Sequence, residues 1–223
     1  MSNDSVICLS GGMDSITMLY EYQDSIALAL SFDYGSNHAE QEISKAKLHC
    51  QRLGIPIIVI PLAFIHQYFH SALLDGSEAI PEGTYAEENM KSTVVPFRNG
   101  IMLAVACGMA ESNGLQRVMI ANHGGDHDIY PDCRPAFIDA MSQAMQHGTY
   151  DGITICAPYT NISKTEIARH GAKLGIDYAE TWSCYKGGEQ QCGRCATCQE
   201  RKQALKEAGI VDNTPYEEES TEE

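Results

Sequence analysis

A glycine-containing loop between a strand and a helix is the first feature of the sequence that could do chemistry. The apolar run Val6–Leu9 is typical of a buried parallel strand, and Ser10-Gly11-Gly12-Met13-Asp14-Ser15 follows it directly. Glycines let backbone N–H groups converge on an anion, and the positive end of the following helix adds to the attraction. The loop from Leu9 to Ser15 therefore predicts a phosphate site. Ser10 and Ser15 would donate hydroxyl hydrogen bonds, and Asp14 would position Mg²⁺ or cap the helix.

A cluster of four cysteines near the C-terminus predicts a metal centre. Cys184, Cys192, Cys195 and Cys198 follow the pattern C-x7-C-x2-C-x2-C. Two-residue spacing lets neighbouring thiolates reach one tetrahedral ion, and four protein ligands leave no position for water or substrate. We expect one structural zinc ion per chain. A disulfide or redox role and an iron–sulfur cluster are the alternatives.

Composition narrows the class of protein. A chain of 223 residues with 43% hydrophobic content can bury a substantial core. Its formal charge of −15, from 15 basic and 30 acidic residues, argues against direct nucleic-acid binding. The acidic start is unlike a signal peptide, and the apolar runs are shorter than the roughly 20 residues of a membrane span. We therefore expect a cytoplasmic protein without a membrane partner.

Strands and helices alternate along the chain, which predicts an α/β fold with a doubly wound, five-stranded parallel sheet. After the first strand, further strands are predicted at 26–32, 55–60, 117–121 and 153–157, and residues 75–96 form a long loop. Helices are predicted at 38–53, closed by Gly54, and at 163–174, with Ser163 as N-cap and Glu166 at the capping-box position. If the strand order is 3-2-1-4-5, the loops 10–15 and 122–134 face each other across the crevice at the carboxyl ends of the strands. We divide the chain into an α/β domain (1–180), a zinc-binding knob with a helix (181–212) and a disordered acidic tail (213–223).

The loop Ser10–Ser15 resembles the SGGxDS loop of the ATP-pyrophosphatases, and the sequence lacks the patterns of P-loop NTPases and dinucleotide binders. The resemblance implies a fold of the adenine-nucleotide α-hydrolase (HUP) type and transfer of adenylate from ATP to an oxygen acceptor. Such chemistry needs Mg²⁺ and a cation at the leaving pyrophosphate. Lys164, at the start of a helix capped by Ser163, is the candidate cation, with a surface lysine as the alternative. Asp33 would border adenosine or only form a turn.

Several motifs in order resemble the 7-cyano-7-deazaguanine synthase family. Besides the loop they are Val95–Asn99, Tyr130–Arg134 and the cysteine segment 183–198, and the resemblance spans about residues 5 to 210. That family converts 7-carboxy-7-deazaguanine, ammonia and ATP, through an acyl-adenylate and an amide, to the nitrile used in making queuosine. Its members are usually zinc-containing homodimers, so the resemblance implies a homodimer here.

The same resemblance implies substrate contacts. Asp132 would accept hydrogen bonds from a guanine-like edge, and Arg98 or Arg134 would bind the substrate carboxylate, since a guanidinium fork matches carboxylate geometry. Tyr130 or Phe97 would stack on the ring. Alternatively, Asp132 and Arg134 pair only with each other and the aromatic rings only pack.

The sequence departs from the commoner family pattern beside the expected amine site. Phe97 and Ala121 stand where glycines are commoner, Asp128-Ile129 replaces Ser-Gly, and 123–128 is a dense polar run containing His123, Asp126 and His127. Asp126 and its neighbours would line the amine site, with metal binding as the alternative. The departures leave the nitrogen donor open: ammonia giving the nitrile, or another amine, even on a protein, giving an amide. A non-catalytic RNA-binding zinc module and a tRNA-acting ATP-pyrophosphatase are more distant alternatives.

Overall fold

The computed structural model describes residues 3–74, 79–83, 85–86 and 90–217. These residues form five strands: β1 (Ser5–Cys8), β2 (Ile26–Asp33), β3 (Ile57–Pro61), β4 (Arg117–Met119) and β5 (Thr154–Cys156). Their helices are α1 (Met13–Glu21), α2 (Ala39–Leu53), α3 (Ala63–Tyr68), α4 (Arg98–Ser112), α5 (Pro135–Gly148), α6 (Lys164–Lys173) and α7 (Ala196–Ala208).

The five strands form one parallel sheet, as predicted, and their order β3-β2-β1-β4-β5 is the one for which the loops 10–15 and 122–134 were expected to face each other. The central strand β1 pairs Ile7 with Ala29 on one side and with Met119 on the other. Its apolar residues are fully buried because helices cover both faces of the sheet.

Alternation along β1 separates two hydrophobic cores. Val6 packs into the core on the side of α4 and α5, with Leu103 and Ile138. Ile7 packs into the core on the opposite face, with Ile16 of α1 and Ile167 of α6. Successive side chains of a strand point to opposite faces, so one short strand anchors both layers.

The predicted helix ends are confirmed where their chemistry is local. Ser163 caps α6 through its hydroxyl, which accepts a hydrogen bond from the backbone N of Glu166 at 3.2 Å, completing a capping box. Gly54 ends α2 in the left-handed conformation with φ of 68°. The short helix α3 was not predicted from the sequence, and β4 ends two residues before the predicted Ala121.

The long loop predicted at 75–96 lies partly outside the described residues, at 75–78, 84 and 87–89. Its described parts pack on the cysteine segment: Glu82 bridges to Cys195, and Gly83 N donates to Arg194 O at 3.2 Å. The last residues of the predicted disordered tail, 218–223, also lie outside the described residues. Residues 213–217 differ from that prediction, because Glu217 N donates to Gln191 O at 2.9 Å and fixes this stretch against the cysteine segment.

One segment, Lys91–Ser112, has the length and apolar composition of a membrane-crossing helix. In the structure α4, which forms most of this segment, packs against β1 and β4. Leu103, Ala106 and Ala110 of α4 are fully buried in the protein core. The apolar character of α4 is therefore accounted for by its place beside the sheet.

Candidate active site

A cavity of about 210 Å³ opens at the carboxyl ends of β1, β2 and β4, where a doubly wound sheet places its ligands. It is the junction of the loops after β1 and β4 with the first turns of α4, α6 and α7. The residues predicted for the site that line it are Leu9, Ser10, Gly12, Asp14, Ser15, Arg98, Asp126, Tyr130 and Lys164. Residues far apart in sequence thus meet in one space.

Glycine is required at position 11 of the loop. Gly11 has φ of 92°, and a Cβ there would lie 2.2 Å from the backbone oxygen of Glu42. The carbonyl of Gly11 accepts a hydrogen bond from Trp182 N at 3.0 Å, which ties the loop to the C-terminal segment. Gly11 therefore shapes the loop from outside the cavity lining, and Gly12 follows as the N-cap of α1.

The two loop serines and the glycine amides form a compact hydrogen-bonded group at the start of α1. Ser10 Oγ lies 3.0 Å from Ser15 Oγ, and Gly12 N donates to Ser10 Oγ at 3.2 Å. Gly11 N donates to Ser15 Oγ at 3.3 Å. Hydroxyl and backbone N–H groups converge at a helix N-terminus, which is the arrangement that binds phosphate oxygens.

Lys164 lies between two carboxylates in this cavity. Its Nζ is 3.3 Å from Asp14 Oδ2 and 2.7 Å from Glu200 Oε2, and its side chain is 14% exposed. Burial lowers the pKa of Lys164, but the negative charges of Asp14 and Glu200 outweigh it and raise the pKa above the ordinary lysine value. Lys164 therefore carries a permanent positive charge next to the phosphate-type loop.

The buried side chain of His123 lies beside the carboxylates that surround Lys164. Its Nδ1 accepts a hydrogen bond from Gly125 N at 3.1 Å, so the ring proton of the neutral form is on Nε2. That nitrogen lies 3.5 Å from Asp126 Oδ1 and 3.8 Å from Asp14 Oδ2. With one nitrogen bonded to an amide and the other protonated, His123 has no lone pair free for a metal. Among the described residues only the four C-terminal cysteines come together as a metal-binding group, so the loop's metal alternative lacks support.

Asp14 has the features of a Mg²⁺ ligand. Its Oδ1 is buried and has no hydrogen-bond partner among the described residues, although a buried carboxylate oxygen normally has one. Mg²⁺ prefers carboxylate oxygen and usually reaches a protein through one or two carboxylates plus phosphate oxygens. The residue present fits the ion that the sequence predicts.

The other half of the cavity surrounds Arg98. The guanidinium donates to Tyr34 Oη at 3.1 Å and stacks on the Tyr34 ring, with Cζ 5.6 Å from the ring centroid. Burial and Arg98 lower the pKa of His38 to about 3, whereas burial raises the pKa of Glu42 to about 8. No described carboxylate lies within 4 Å of the Arg98 guanidinium, and nearby His38 and Glu42 are mostly uncharged at neutral pH, whereas the charge of Asp132 also acts on Arg98. This cation is available to an incoming carboxylate.

Aromatic side chains close this half of the cavity. Tyr130 Oη lies 3.3 Å from Thr93 Oγ1 and 3.4 Å from Tyr185 Oη. Tyr185 stacks on His38 with ring centroids 5.1 Å apart. Tyr85, from the described part of the long loop, donates to Asp126 Oδ1 at 3.0 Å and links the two halves. The walls suit a flat, aromatic ligand.

Asp33 and Phe97 lie outside the cavity lining. Asp33 is exposed, and its Oδ1 accepts a hydrogen bond from Gly35 N at 3.1 Å, which is the turn-forming alternative. Phe97 is 58% exposed and has φ of 53°, a left-handed conformation that favours glycine. Its ring stacks edge-on against Phe137 rather than facing the cavity. This left-handed backbone conformation explains why glycine is the commoner residue at this position.

Asp132 and Arg134 also lie outside the cavity lining, and they do not pair with each other. Asp132 Oδ2 accepts a hydrogen bond from Asn99 N at 2.8 Å, in the first turn of α4. Arg134 is exposed and donates from Nε to His127 O at 2.7 Å. Of the two arginines considered for the carboxylate, the structure places only Arg98 in the cavity.

The four cysteines form one buried cluster. They are free thiols, and their sulfur atoms all lie within 4.8 Å of one another. Zinc–sulfur bonds of about 2.3 Å in a tetrahedron require sulfur separations of about 3.8 Å, so the cluster fits zinc. Cys195 N donates to Cys192 Sγ at 3.2 Å, and Cys192 N donates to Cys184 Sγ at 3.4 Å. Such donors stabilise thiolates. We call residues 184–198 the cysteine knob.

Several residues of the cavity were missed from the sequence. The cavity lining includes five residues that the sequence analysis did not predict as site residues: Tyr34, His38, Glu42, Tyr185 and Glu200. Glu200 lies two residues beyond the last knob cysteine, and only the turn of α7 brings it toward Lys164. The two members of the i, i+4 pair His38 and Glu42 share one face of the first turn of α2, which was a detectable signal.

The fold and cavity define a doubly wound α/β protein with a ligand cavity at the carboxyl edge of its parallel sheet and a four-cysteine knob near its C-terminal end. The structure is similar to NMN synthetase from Francisella tularensis, with a TM-score of 0.51 and 14% identity, covering 94% of this chain and 79% of that one. At this identity the likeness concerns the fold alone.

The family is shown by sequence. The family model described as queuosine biosynthesis protein QueC matches residues 4–209, and the chain belongs to this family. The 7-cyano-7-deazaguanine synthase of Porphyromonas gingivalis is 66% identical over 96% of this chain and 97% of its own length. The synthases of Desulfotalea psychrophila and Methanoregula boonei are 49% and 45% identical, each over 96% of this chain and 98% and 99% of their own lengths. The predicted family is confirmed.

Proposed function

We propose that this protein is an AMP-forming carbon–nitrogen ligase that converts 7-carboxy-7-deazaguanine, ammonia and ATP to 7-cyano-7-deazaguanine. One observation carries the proposal: the phosphate-type loop with Lys164 and the guanidinium of Arg98 with its aromatic walls occupy opposite halves of the same cavity. The names of the curated relatives supply the substrate and product.

In the first step a carboxylate oxygen of the substrate attacks the α-phosphorus of ATP. The bond between the α-phosphorus and the oxygen that bridges to the β-phosphate breaks. Pyrophosphate departs, and the substrate is now an acyl-adenylate. The backbone N–H groups and hydroxyls of Ser10–Ser15 bind phosphate oxygens, and Lys164 offsets the charge that develops on the leaving pyrophosphate. Asp14 would hold Mg²⁺, which supplies charge neutralisation at the phosphates when bound. Arg98 orients the carboxylate before it reacts.

In the second step ammonia attacks the activated carbon, and AMP leaves with the former carboxylate oxygen. The nitrogen loses a proton, for which Asp126 beside Tyr85 is the nearby acceptor in the cavity. The resulting amide oxygen is adenylated by a second ATP. Loss of AMP and of the remaining nitrogen protons then gives the nitrile.

Product analysis tests the proposal. The protein is incubated with 7-carboxy-7-deazaguanine, MgATP and ammonium, and the products are identified by mass spectrometry. We expect nitrile, AMP and pyrophosphate, with AMP formation dependent on the acid. An amide end product that incorporates a different amine would instead support the conjugating alternative, and AMP formation dependent on tRNA would support a tRNA-acting enzyme.

The remaining expectations are part of the same proposal. The resemblance favours a homodimer, which light scattering of the purified protein tests: a mass of one chain would exclude it. A cytoplasmic location and the absence of direct nucleic-acid binding remain predictions from the sequence. The net charge of −15 supports the second of these, because a phosphate backbone would be repelled.

A further inference from the structure

The first two turns of helix α7 belong to both the cysteine knob and the cavity. Cys195 is its N-cap and Cys198 lies in its first turn, both fully buried in the sulfur cluster. Thr197 and Glu200, from the same two turns, line the cavity instead. Adjacent residues of one short stretch thus face the metal site and the candidate active site.

Glu200 is the shortest contact of Lys164. Its Oε2 lies 2.7 Å from Lys164 Nζ, compared with 3.3 Å for Asp14 Oδ2, and its side chain is 15% exposed. The lysine side chain has four rotatable carbons and needs a fixed partner to hold its ammonium in place. Asp14 is the candidate Mg²⁺ ligand, so its charge is shared when the ion and ATP bind. Glu200 is the partner that stays with Lys164.

The rest of α7 keeps this contact in register. Leu205 is fully buried in the core shared with Ile167 of α6. Arg201, also fully buried, donates to Thr181 Oγ1 at 2.8 Å and Thr214 Oγ1 at 2.6 Å. These contacts fix the middle and end of α7, whereas its first turn is held by Cys195 and Cys198 together with Ala196, whose N donates to Pro81 O at 3.2 Å.

We propose that Glu200 is a positioning residue that joins the cysteine knob to the ATP half of the cavity. Zinc bound by Cys195 and Cys198 would fix the first turn of α7, and this turn sets the position of Glu200. The carboxylate of Glu200 in turn keeps the ammonium of Lys164 beside the phosphate-type loop through an ion pair. The zinc site, structural by its ligands, then acts on catalysis through one carboxylate. The kinetic part of this inference rests on the proposed function, whereas the placement of Lys164 does not.

Kinetics of Glu200→Gln test the first part, with Glu207→Gln as the matched control. Glu207 lies two turns further along α7 and accepts a hydrogen bond from Thr165 of α6 at 2.9 Å, but is exposed and away from the cavity. We expect kcat for acid-dependent AMP formation to fall roughly 10- to 100-fold in Glu200→Gln, since small misplacement of a catalytic group has effects of this size. KM for ATP should change far less, and zinc content should stay at the wild-type value. Glu207→Gln should match wild type throughout.

The effects of substituting Glu200 and Lys164 on the rate of AMP formation must also be non-additive. If Glu200 acts through Lys164, single-turnover AMP formation by Glu200→Gln/Lys164→Ala should equal that of Lys164→Ala alone. A further loss in the double variant would mean that Glu200 acts independently of Lys164 and would overturn the proposal. Wild-type kcat in Glu200→Gln would overturn it as well.

Acetylation of lysines, followed by mass spectrometry, tests the placement without any substrate. Lys164 should react much more slowly than exposed Lys47 in the wild type and in Glu207→Gln. It should become reactive in Glu200→Gln, and in the full-length wild type after zinc is removed by a chelator, while Lys47 reacts equally in all samples. Continued protection of Lys164 in Glu200→Gln or after zinc removal would contradict the link. If the wild type makes no acid-dependent AMP, the proposed function fails, and the labelling still decides the placement.

Discussion

Lys164 Nζ lies 3.3 Å from Asp14 Oδ2, although the two residues lie in the first turns of helices and are 150 positions apart in the sequence. The parallel sheet brings them together because α1 follows β1 and α6 follows β5, and both helices start at the carboxyl edge of the sheet. A cation and a candidate Mg²⁺ ligand are thereby placed at one end of the phosphate-type loop.

Replacing Asp14 with alanine should therefore abolish AMP formation. The change removes the buried carboxylate that would hold Mg²⁺ and one of the two groups that fix Lys164. We expect at least a roughly 100-fold loss of kcat, the size seen when one preorganised electrostatic group is removed. The control is Asp24→Ala, an exposed aspartate beyond the end of α1. Full activity in Asp14→Ala with intact secondary structure by circular dichroism would refute this site assignment.

Substitution of the two arginines by lysine should separate them. Arg98→Lys keeps the charge but loses the planar fork, and we expect KM for the deazaguanine acid to rise roughly 10-fold or more. Arg134→Lys should change KM little, because the structure places Arg134 on the surface with His127 O as its partner. The reverse result would show that the carboxylate binds at Arg134.

The raised pKa of Glu42 predicts a pH-dependent stability. Burial raises this pKa from 4.5 to about 8, so the folded protein holds a proton that the unfolded chain loses above pH 4.5. Stability associated with Glu42 is fully present below pH 4.5 and is lost as the pH rises through 8. Glu42→Gln cannot ionise, so its Tm relative to wild type should increase between pH 4.5 and 8, by the equivalent of roughly 2 kcal/mol or more. Glu40→Gln, exposed on the same helix, is the control, and a Tm difference independent of pH for Glu42→Gln would contradict the assignment.

Metal analysis tests the cysteine knob. The folded protein should contain about one zinc ion per chain, and Cys192→Ser should lose zinc and unfold at a lower temperature, since metal binding contributes to folding in small thiolate sites. Cys156→Ser, on β5 and outside the cluster, should keep its zinc. Clearly sub-stoichiometric metal in the folded wild type would exclude a structural zinc centre.

Local chemistry made much of the fold predictable. Gly54 ends α2, and the Ser163–Glu166 capping box begins α6, as predicted. These helix ends were predictable because caps act over a few residues. The doubly wound parallel sheet followed from strand–helix alternation and right-handed crossovers. Helix α3 was not predicted, because its six residues, Ala63–Tyr68, are too few to show a helical period.

Residues of the cavity could be predicted from the sequence only where they belong to a recognisable motif or to the first turn of a helix. Asp14 and Lys164 lie at the first turns of helices that face the crevice, so their meeting followed from the topology. The meeting of Glu200 with Lys164 depends on how α7 packs on α6, a tertiary relationship without a fixed spacing. Asp132 and Arg134 belong to a recognisable motif, but their side-chain directions are set by α4 and by His127 O, which a sequence pattern does not reveal.

Isotope transfer tests the central claim of adenylation most directly. The substrate is labelled with ¹⁸O in both oxygens of its carboxylate, and the AMP released during turnover with MgATP and ammonium is analysed by mass spectrometry. Attack by the carboxylate on the α-phosphorus predicts AMP that carries one ¹⁸O atom, because the carbon–oxygen bond breaks when nitrogen adds. Unlabelled AMP, or release of ADP and phosphate in its place, would contradict the account.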